Sequence, residues 1–554
     1  MTQTRTFLLF AWLMVAALLW MEWNKEQQPA PATSSPTTTA MLPAATPSTN
    51  PAGNDARVPT ASVPGVAPIA QVATAVGDAP TVTLRNDVLA LELDGRSITA
   101  AQLLEYPRTR DGGSPSVVLF DTAPATFFAA RSGWLGADGV DRVFEPEATL
   151  REFSLADGAA EVSASFIAQG ADGVQVRRTY TLARGSYALR VQDEVTNSGT
   201  KPWTGTVYRQ LLRNPPPAKG GFTNPEAFSL SGAAWYSPED KYKKRKYPDF
   251  VDDGPLDQEV SGGWVALSQH YFLTAWVPQK DQAALFSLGV DGSTHRIEAR
   301  GPQIALPPGQ HYASNATLWV GPKLAEQMAP VSAGLERAMD YGYFTVLSQP
   351  IHWLLTQLHK FTHNWGWAIV LLVGLLKLAL YPLSAAQYKS MAKMRKFQPR
   401  IEQLKERYGE DKQKYQMAML ELYKKEKINP AGGCLPLLIQ MPVFLALYYV
   451  LLEAVELRQA PWIMGWINDL TARDPYFILP VLNGAIMLLT QRLTPMAGMD
   501  PMQKKMMQFM PLVMMVMFAF FPAGLVLYWV TNGTLSLLQQ WWNTRRYAEA
   551  PAKT

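Results

Sequence analysis

Apolar residues are concentrated in six stretches of this chain, one near its beginning and five in its last third. Each stretch holds roughly 16 to 20 residues, about the length of helix that crosses the hydrocarbon core of a bilayer. The small residues that a signal peptidase recognises do not follow the first stretch, so we interpret it as an uncleaved anchor rather than a signal peptide. The predicted spans are residues 1–23, 367–383, 434–452, 476–491, 506–521 and 522–542.

A different pattern fills residues 81–330, where apolar and polar residues alternate, as in TVTLRNDVLALEL and YALRVQDEVT. These segments are rich in Val, Tyr, Trp and Thr and are separated by clusters of Gly, Pro, Asn and Asp, a pattern typical of an all-β sandwich. We therefore predict a mixed fold. A polytopic α-helical membrane bundle of six spans, with a five-span core, carries a large all-β domain.

Two connections link these parts of the chain. Residues 24–80 consist mainly of Pro, Ala, Thr and Ser and are predicted to form a flexible linker. Residues 331–366 are predicted to be an amphipathic helical connection that lies flat at the membrane surface, on the side of the β domain. The apolar face of this connection comprises Ile351, Leu354, Leu358, Phe361 and Trp365, whereas His352, Lys360 and His363 lie between them.

The distribution of basic residues indicates how the chain is oriented. Residues 384–433 contain 12 Lys and Arg but 6 Asp and Glu, whereas the loop at 453–475 contains two and four. Because basic residues favour the cytoplasmic side, we place residues 384–433, the loop at 492–505, the tail at 543–554 and the amino terminus in the cytoplasm. The β domain then lies outside, and it is acidic, since residues 23–350 contain 27 basic and 33 acidic residues.

Residues 384–433 contain two charged segments with helical periodicity, QPRIEQLKERYG and DKQKYQMAMLELYKKEK. We predict that they form a helical hairpin that projects into the cytoplasm. Its basic surface suits anionic lipid head groups and, equally, an acidic partner. The cations assigned to this surface are Arg400, Lys405, Arg407, Lys412, Lys414 and Lys424.

Lys377 lies within the otherwise apolar stretch LLVGLLKLALYPL. An ammonium group at membrane depth costs roughly 2.5 to 3.5 kcal/mol, so its presence needs an explanation. In one interpretation the side chain extends toward the inner head groups, because Pro382 and the end of the span are near. In the other, the ammonium lies in a hydrated groove that opens to the cytoplasm.

Polar residues in other spans favour the groove, although hydrogen bonding between helices would also explain some of them. Between their ends, the five C-terminal spans contain no Asp or Glu, which argues against a proton-coupled transporter. A fixed positive charge among neutral polar groups attracts anionic segments instead. The residues assigned to the groove are Lys377, Gln440, Asn483, Tyr528, Trp529, Asn532 and Ser536.

Methionines are frequent in the fifth span. They are explained either by soft packing against neighbouring helices or by an adaptable surface for varied apolar partners. In the second interpretation, an apolar slide past which such partners move comprises Met510, Met514, Met517, Leu438 and Phe444.

Several chemical classes find no support in the sequence. It contains neither a phosphate-binding GxxxxGK[ST] motif nor a GxSxG motif, and its single cysteine, Cys434, allows no disulfide within the chain. His359 and His363 are four residues apart but have no third ligand in a metal-binding pattern. We therefore predict no catalytic residues, metal site or cofactor, and we interpret the basic run KYKKRKY in the β domain as a solvated loop.

Long ordered blocks in the last third resemble one family. The stretches YPLSAAQYKSMAKMRKFQPRIEQLKERYGEDKQK, KINPAGGCLPLLIQMPVFLALYYVL, DPYFILPVLNGAIM, DPMQKKMMQFMP and FPAGLVLYWV look like the YidC membrane protein insertases of Gram-negative bacteria. The resemblance implies a protein of the inner membrane that accepts nascent membrane proteins, here called clients, and folds them into the bilayer, alone or with the Sec translocon.

The resemblance also implies details of structure and partners. The periplasmic domain would be a β-supersandwich related to sugar-epimerase folds, without catalysis. The core would hold a hydrophilic groove, open to cytoplasm and lipid, with one positive residue at the position of Lys377. The implied partners are nascent membrane proteins, the phospholipid bilayer, the Sec translocon, the ribosome and the signal recognition particle system, with no direct nucleic-acid specificity.

The chain departs from the family in three places. Lys377 stands where family members have arginine, so a point charge replaces a bidentate guanidinium. A tyrosine pair of the last span is here Tyr528-Trp529, and the tail after Trp542 is short and only mildly basic, which argues against strong ribosome binding through it.

Two other functions stay open at this point. One is a membrane-anchored carbohydrate-active enzyme, which would need His270 or His311 beside a carboxylate. The other is a lipid scramblase that uses the same groove.

Overall fold

A computed structural model describes residues 80–111, 113–137, 139–217, 229–408, 411–426, 435–493 and 501–548. The predicted anchor, nearly all of the predicted linker and Cys434 lie outside these residues. The chain divides into two compact units, one of Met1–Ala73 with Lys396–Ile428 and the other of Thr74–Arg395 with Asn429–Thr554. The β domain and most of the helices belong to the second unit.

The β domain consists of two large, mostly antiparallel sheets. The first sheet contains ten strands, in the order β14-β17-β18-β11-β5-β3-β2-β1-β7 with β4 on β3, and the second contains nine, in the order β13-β12-β15-β16-β19-β10-β9-β8-β6. The strands of the first sheet are β1 (Val82–Arg85), β2 (Leu89–Leu93), β3 (Ser97–Pro107), β4 (Ser116–Val118), β5 (Phe128–Gly136), β7 (Glu152–Ser154), β11 (Trp203–Arg213), β14 (Asp257–Ser261), β17 (Ala283–Asp291) and β18 (Thr294–Leu306). Those of the second are β6 (Glu145–Pro146), β8 (Glu161–Gln169), β9 (Val174–Ala183), β10 (Ala188–Asn197), β12 (Gly232–Ser237), β13 (Lys241–Lys246), β15 (Trp264–Ser268), β16 (Phe272–Pro278) and β19 (His311–Pro322).

The alternation in the sequence accounts for the core of this sandwich. Every second residue of β10 is buried, as expected for a strand with one face against the interior. The interior also holds an ion pair, in which Arg178 Nε lies 2.6 Å from Asp193 Oδ1 and Trp134 Nε1 donates to Asp193 Oδ2 over 2.9 Å. The two charges of this pair thus offset each other's loss of hydration. The predicted all-β sandwich is confirmed.

The basic run KYKKRKY is an edge strand rather than the solvated loop that its composition predicts. Its first six residues form β13, which pairs with β12 at the edge of the second sheet. Alternation places Lys244 and Lys246 on the exposed side, where Lys244 pairs with Asp340. Charged residues on an edge strand hinder its pairing with another chain, which explains why a strand tolerates this composition.

The helical part begins after two short 3₁₀ turns, Leu335–Met339 and Gly342–Phe344. Nine longer helices follow among the described residues. They are α1 (Thr345–Thr362), α2 (Trp365–Ala379), α3 (Tyr381–Lys396), α4 (Gln398–Tyr408), α5 (Lys412–Lys425), α6 (Leu435–Glu453), α7 (Ile478–Leu493), α8 (Pro501–Phe518) and α9 (Ala523–Ala548).

None of the helices in the described residues is both long and apolar enough to cross a membrane by itself, but one bent pair satisfies both criteria together. The pair is α2 with Tyr381–Tyr388, and the two halves meet at 65°. The predicted span at 367–383 thus coincides with a bent pair of helices, and it stays a prediction. Pro382 explains the break, because it lacks an amide hydrogen and is tolerated in the first turn of a new helix. The number of spans stays a prediction.

The buried face of helix α1 overlaps only in part with the apolar face that the sequence predicts, since Ile351 belongs to both and Leu354 and Leu358 are partly buried. Its buried residues are Ser348, Ile351, His352 and Leu355, whereas Phe361 is 80 % exposed. The hydroxyl of Ser348 donates to the carbonyl of Ala446 in α6 over 3.1 Å. Helical periodicity locates an apolar stripe, but the packing of α1 against α6 decides which side is covered.

Helices α4 and α5 form a hairpin in the first unit. Asp411 caps α5 by accepting hydrogen bonds from the amides of Gln413 and Lys414, and Ile401 and Met419 are buried. Arg400 Nη1 donates to Glu426 Oε1 over 2.9 Å, which links the two ends of the hairpin.

The sandwich contacts the end of α6 through buried polar groups. Lys323 Nζ, just after β19, lies 3.2 Å from Glu453 Oε2, and both side chains are fully buried or nearly so. The hydroxyl of Ser229 donates to the other oxygen of Glu453 over 2.6 Å. Close by, His270 Nε2 lies 2.8 Å from the carbonyl oxygen of Leu452. These contacts fix how the sandwich sits on the helices of the second unit.

We expect Lys323→Met to destabilise the chain by about 3 to 5 kcal/mol, because it leaves the buried carboxylate of Glu453 without its cation. The thermal unfolding midpoint of the full-length chain in detergent, followed by tryptophan fluorescence, measures this loss. Lys360→Met is the matched control, since its pair with Glu326 is exposed on both sides and should matter little. Equal midpoints for the two variants would contradict the prediction.

Candidate functional site

Lys377 lies in the last turn of α2 and is buried, with 8 % of the residue exposed. Its ammonium donates a hydrogen bond to the hydroxyl oxygen of Ser536 in α9 over 2.7 Å. The side chain therefore points to another helix rather than along its own, which does not fit the interpretation that it only reaches for head groups.

Two further polar residues extend this contact. The hydroxyl of Ser536 donates to the backbone carbonyl of Asn532 over 2.7 Å, and the amide of Gln440 in α6 donates to the side-chain oxygen of Asn532 over 3.3 Å. The structure thus brings four of the predicted groove residues together on α2, α6 and α9, and we call Lys377, Gln440, Asn532 and Ser536 the polar cluster.

The direction of the hydrogen bonds decides what the polar cluster can do chemically. Ser536 gives its own hydrogen to a carbonyl and accepts from the lysine nitrogen, so Lys377 acts as a donor in this cluster. Of the described acidic side chains, none lies within 4.0 Å of this ammonium. A buried cation with donor capacity left over is suited to bind an anionic group.

Tyr388 is a neighbour of the polar cluster that sequence reasoning missed. Its hydroxyl donates to the backbone carbonyl of Ser536 over 3.1 Å. The residue was assigned to the cytoplasmic segment 384–433, since the predicted span ended at residue 383. The chain bends just before Pro382, and the bend brings α3 back against α9. Pro382 is thus the feature of the sequence that could have indicated a role for Tyr388.

The two aromatic residues of the predicted groove, Tyr528 and Trp529, pack against other aromatic rings. Tyr528 stacks on Phe444 with ring centroids 5.8 Å apart, and Trp529 lies 4.8 Å from Phe444 and 5.4 Å from Phe518. Such pairs stabilise the contact between α6, α8 and α9. Phe444, predicted for the apolar slide, is therefore a packing residue in this structure.

Asn483 does not join the polar cluster. It is buried in α7, and its amide lies 3.7 Å from the sulfur of Met487 on the same helix. Its polar side chain within an apolar span indicated a place in the groove, but the sequence does not determine which residues it contacts.

The predicted slide is only partly accessible. Met510 is 42 % exposed, whereas Met514 and Met517 pack partly buried against the core. Helix α8 also exposes Phe509, Leu512, Val513 and Val516, each by more than half of its surface. The side chain of Leu438 lies outside the described residues.

The cations predicted for the cytoplasmic surface lie on α4 and α5. Arg400 pairs with Glu426, and Lys414 lies 3.2 Å from Asp411. Lys405, Arg407 and Lys424 are exposed, and the side chain of Lys412 is not described. The hairpin thus presents several cations to solvent.

No group of three or more potential metal ligands occurs in the part of the chain that the structure describes. His359 stacks on Trp365 with 3.9 Å between ring centroids, and His363 ends α1 in a left-handed conformation with φ of 52°. The two histidines thus have structural contacts of their own.

Another buried titratable pair lies outside the predicted spans. His352 Nε2 of α1 lies 3.7 Å from Glu456 Oε1, and both side chains are mostly buried. Burial raises the pKa of Glu456 to about 7 and lowers the pKa of His352 to about 4. Loss of hydration therefore favours the neutral form of each group.

We expect the two groups to have opposite effects on stability as the pH changes. Since folding raises the pKa of Glu456 from 4.5 to about 7, its contribution falls as the pH rises through this range. Since folding lowers the pKa of His352 from 6.5 to about 4, its contribution grows as the pH rises from about 4 to 6.5. The Glu456→Gln variant retains only His352, so its stability should rise as the pH rises from 4 to about 6.5. The His352→Gln variant retains only Glu456, so its stability should fall as the pH rises from about 4.5 to 7. Unfolding midpoints that move in the same direction in both variants would contradict this.

Comparison with known proteins places the chain in a family. Residues 357–550 match the family described as 60Kd inner membrane protein, and residues 81–354 match the YidC periplasmic domain. The second range contains the sandwich, and the first contains the helices from α2 onward and the end of α1.

Full-length relatives agree with both matches. The membrane protein insertase YidC of Xanthomonas euvesicatoria pv. vesicatoria (strain 85-10) is 54 % identical over 576 residues, which cover 100 % of this chain and 99 % of the relative. The protein of the same name from Stenotrophomonas maltophilia (strain R551-3) is 54 % identical over 567 residues, with 100 % and 98 % covered. A solved structure described as an active YidC insertase with its first transmembrane domain resolved is 20 % identical, covers 83 % of this chain and 94 % of its own, and has a TM-score of 0.36. This chain therefore belongs to the YidC family of membrane protein insertases.

Proposed function

We propose that this chain inserts clients into the bacterial inner membrane by binding their anionic polar segments at the polar cluster. The observation that carries the proposal is the ammonium of Lys377, which is buried, is held by the hydroxyl of Ser536 at 2.7 Å and has no described carboxylate partner. An anionic side chain of a client would supply that partner. The attraction is strong in a site of low dielectric, so it lowers the cost of drawing a polar segment into the bilayer.

The apolar part of a client has a different surface available to it. Helix α8 exposes a row of large apolar residues next to partly buried methionines. Methionine side chains adapt to partners of different shape. We propose that the transmembrane segment of the client moves along this surface into the lipid while its polar segment is held at the polar cluster.

The proposed topology follows from the charge distribution. Six spans, with a five-span core, place both termini and the hairpin of α4 and α5 in the cytoplasm and the sandwich in the periplasm. The cations of this hairpin support the proposal that it receives the client before insertion. Short spans also favour insertion, since a helix of 16 residues, such as α7, extends about 24 Å and requires a thinned bilayer.

We propose the Sec translocon as a partner for some clients, and the ribosome and the signal recognition particle system as sources of them. The basic hairpin supports an acidic partner on the cytoplasmic side. The tail after Trp542 is only mildly basic, so we assign ribosome contact to the hairpin rather than to the tail.

Insertion of a labelled client into liposomes that contain only this chain tests the proposal. We expect a protease-protected fragment of the client to form in these liposomes and not in empty ones. A labelled phospholipid in the same vesicles tests the alternative of a lipid scramblase. Lipid transfer without client insertion would contradict the proposal.

The contacts of the two candidate histidines do not support the alternative of a membrane-anchored carbohydrate-active enzyme. Its candidate His270 makes its described contacts at the junction with α6, where Nε2 lies 2.8 Å from the carbonyl of Leu452. Its ring also stacks on Tyr271 at 3.8 Å between centroids. His311 begins β19 and is exposed.

A further inference from the structure

We propose that the periplasmic sandwich binds the phosphate of an anionic phospholipid in a second basic site, distinct from the polar cluster. The site is a cavity of about 960 Å³ beside the junction with α6. We call it the basic pocket and define it by six of its lining residues, which are Arg213, Lys246, Tyr247, His270, His295 and Arg458. None of the described residues that line it is Asp or Glu.

Two of these residues have hydrogen-bond donors to spare. Tyr247 is 6 % exposed, and its hydroxyl lies beside the guanidinium of Arg213 without a well-aligned hydrogen bond to any described residue. Nη1 of Arg213 likewise has no well-aligned acceptor among the described residues, and the guanidinium lies 4.7 Å from the ring centroid of Phe128. Buried donors are seldom left unpaired in proteins, and a phosphate oxygen is the acceptor that suits both a phenol and a guanidinium.

Two acidic residues near the basic pocket leave it with an excess of cations. Glu453 accepts a hydrogen bond from Ser229, which lines the cavity, but its other oxygen lies 3.2 Å from Lys323. Its charge is therefore already balanced. Arg458 is held by the backbone carbonyls of Pro107 and Arg108. The nearby carboxylate of Asp469, which accepts hydrogen bonds from the amides of Gln459 and Thr471, offsets part of its charge.

The position of the basic pocket favours a lipid over an acidic peptide. On the proposed topology, on which this step rests, Leu452 ends a span at the periplasmic surface, and His270 of the basic pocket contacts its carbonyl. Pro215, Leu230 and Phe272 give the cavity an apolar wall. A phosphate with a glycerol and its first methylenes suits such a mixture of cations and apolar groups, and the volume is within the usual range of ligand sites.

Native mass spectrometry of the full-length chain in detergent tests the proposal, with phosphatidylglycerol as the probe and phosphatidylcholine for comparison. We expect phosphatidylglycerol to bind more tightly, and Arg213→Gln to weaken it by about tenfold or more, the usual effect of losing a charge-assisted hydrogen bond. Tyr247→Phe should weaken it by a smaller factor. Glycerol 3-phosphate should compete, which separates recognition of the phosphate from recognition of the acyl chains.

Lys246→Gln and Lys243→Gln form a matched pair on strand β13. Lys246 lines the basic pocket and is exposed, so its substitution should weaken phosphatidylglycerol binding and leave the fold intact. Lys243 lies on the same strand outside the lining, and its substitution should have no effect.

Equal binding of the two lipids, or equal loss in the Lys243 and Lys246 variants, would overturn the proposal. So would binding of an acidic peptide that depends on Arg213 when phosphatidylglycerol does not bind. No client enters the experiment, so its failure would leave the proposed insertion mechanism standing.

Discussion

Lys377→Ala is expected to reduce insertion of a client with an acidic translocated segment by about tenfold or more, whereas Lys377→Arg retains insertion. The alanine removes a buried cation that would form charge-assisted hydrogen bonds with the client, and each such bond contributes about 1.5 to 3 kcal/mol. Arginine keeps the charge and adds a bidentate geometry. The rate of insertion into liposomes that contain only the variant chain measures the effect.

Two controls separate the charge from its surroundings. Ser536→Ala removes the hydroxyl that holds the ammonium at 2.7 Å but keeps the charge, so we expect a smaller loss than for Lys377→Ala. A client in which Asn and Gln replace the acidic residues should be insensitive to Lys377→Ala. If wild type and Lys377→Ala insert several acidic clients equally well, the electrostatic role of Lys377 is wrong.

The sandwich was predictable from the sequence because alternation has the same meaning wherever a sheet has one covered face. In β10 every second residue is indeed buried, and no knowledge of distant neighbours was needed. The strand β13 was missed for the opposite reason. Its lysines and arginine resemble a solvated loop, and only its pairing with β12 shows that it is an edge strand.

The polar cluster was predictable in part. A lysine in one apolar segment and amides and hydroxyls in others indicated a shared polar site, and Lys377, Ser536, Asn532 and Gln440 do meet. Asn483 carries the same kind of side chain but contacts Met487, because its neighbours are determined by how α7 packs. Tyr388 was unpredictable from periodicity, since it reaches Ser536 only after the chain bends at Pro382.

His352 shows the same limit in the connecting helix. Its position between apolar residues predicted a polar, exposed side, yet it is buried beside Glu456. The partner lies in a loop more than a hundred residues later, and spacing within α1 contains no information about that loop. Long-range packing therefore decides the parts of the site that local patterns leave open.

Deletion of residues 400–427 is expected to abolish recruitment of clients and to leave the rest of the chain folded. This segment carries the cations proposed to receive clients, and α4 and α5 pack in a compact unit separate from the sandwich and the other helices. Cross-linking of ribosome-bound nascent chains to the variant in membranes measures recruitment. The unfolding midpoint of the sandwich, which should not change, shows that the remaining structure is intact.

Two smaller changes distinguish the charge of the hairpin from its fold. Replacing Lys405, Arg407, Lys414 and Lys424 by Gln removes exposed cations while Ile401 and Met419 keep their buried contacts. Ile401→Asp keeps the cations but places an unpaired charge in that contact, which separates the helices.

If charge recruits clients, the Gln variant loses recruitment at physiological salt. Raising the salt then lowers recruitment by the wild type as well, because exposed charges are screened. If a formed helix pair is sufficient, only Ile401→Asp loses recruitment. Unchanged recruitment after deletion of the whole segment would show that the hairpin is not the receiving surface.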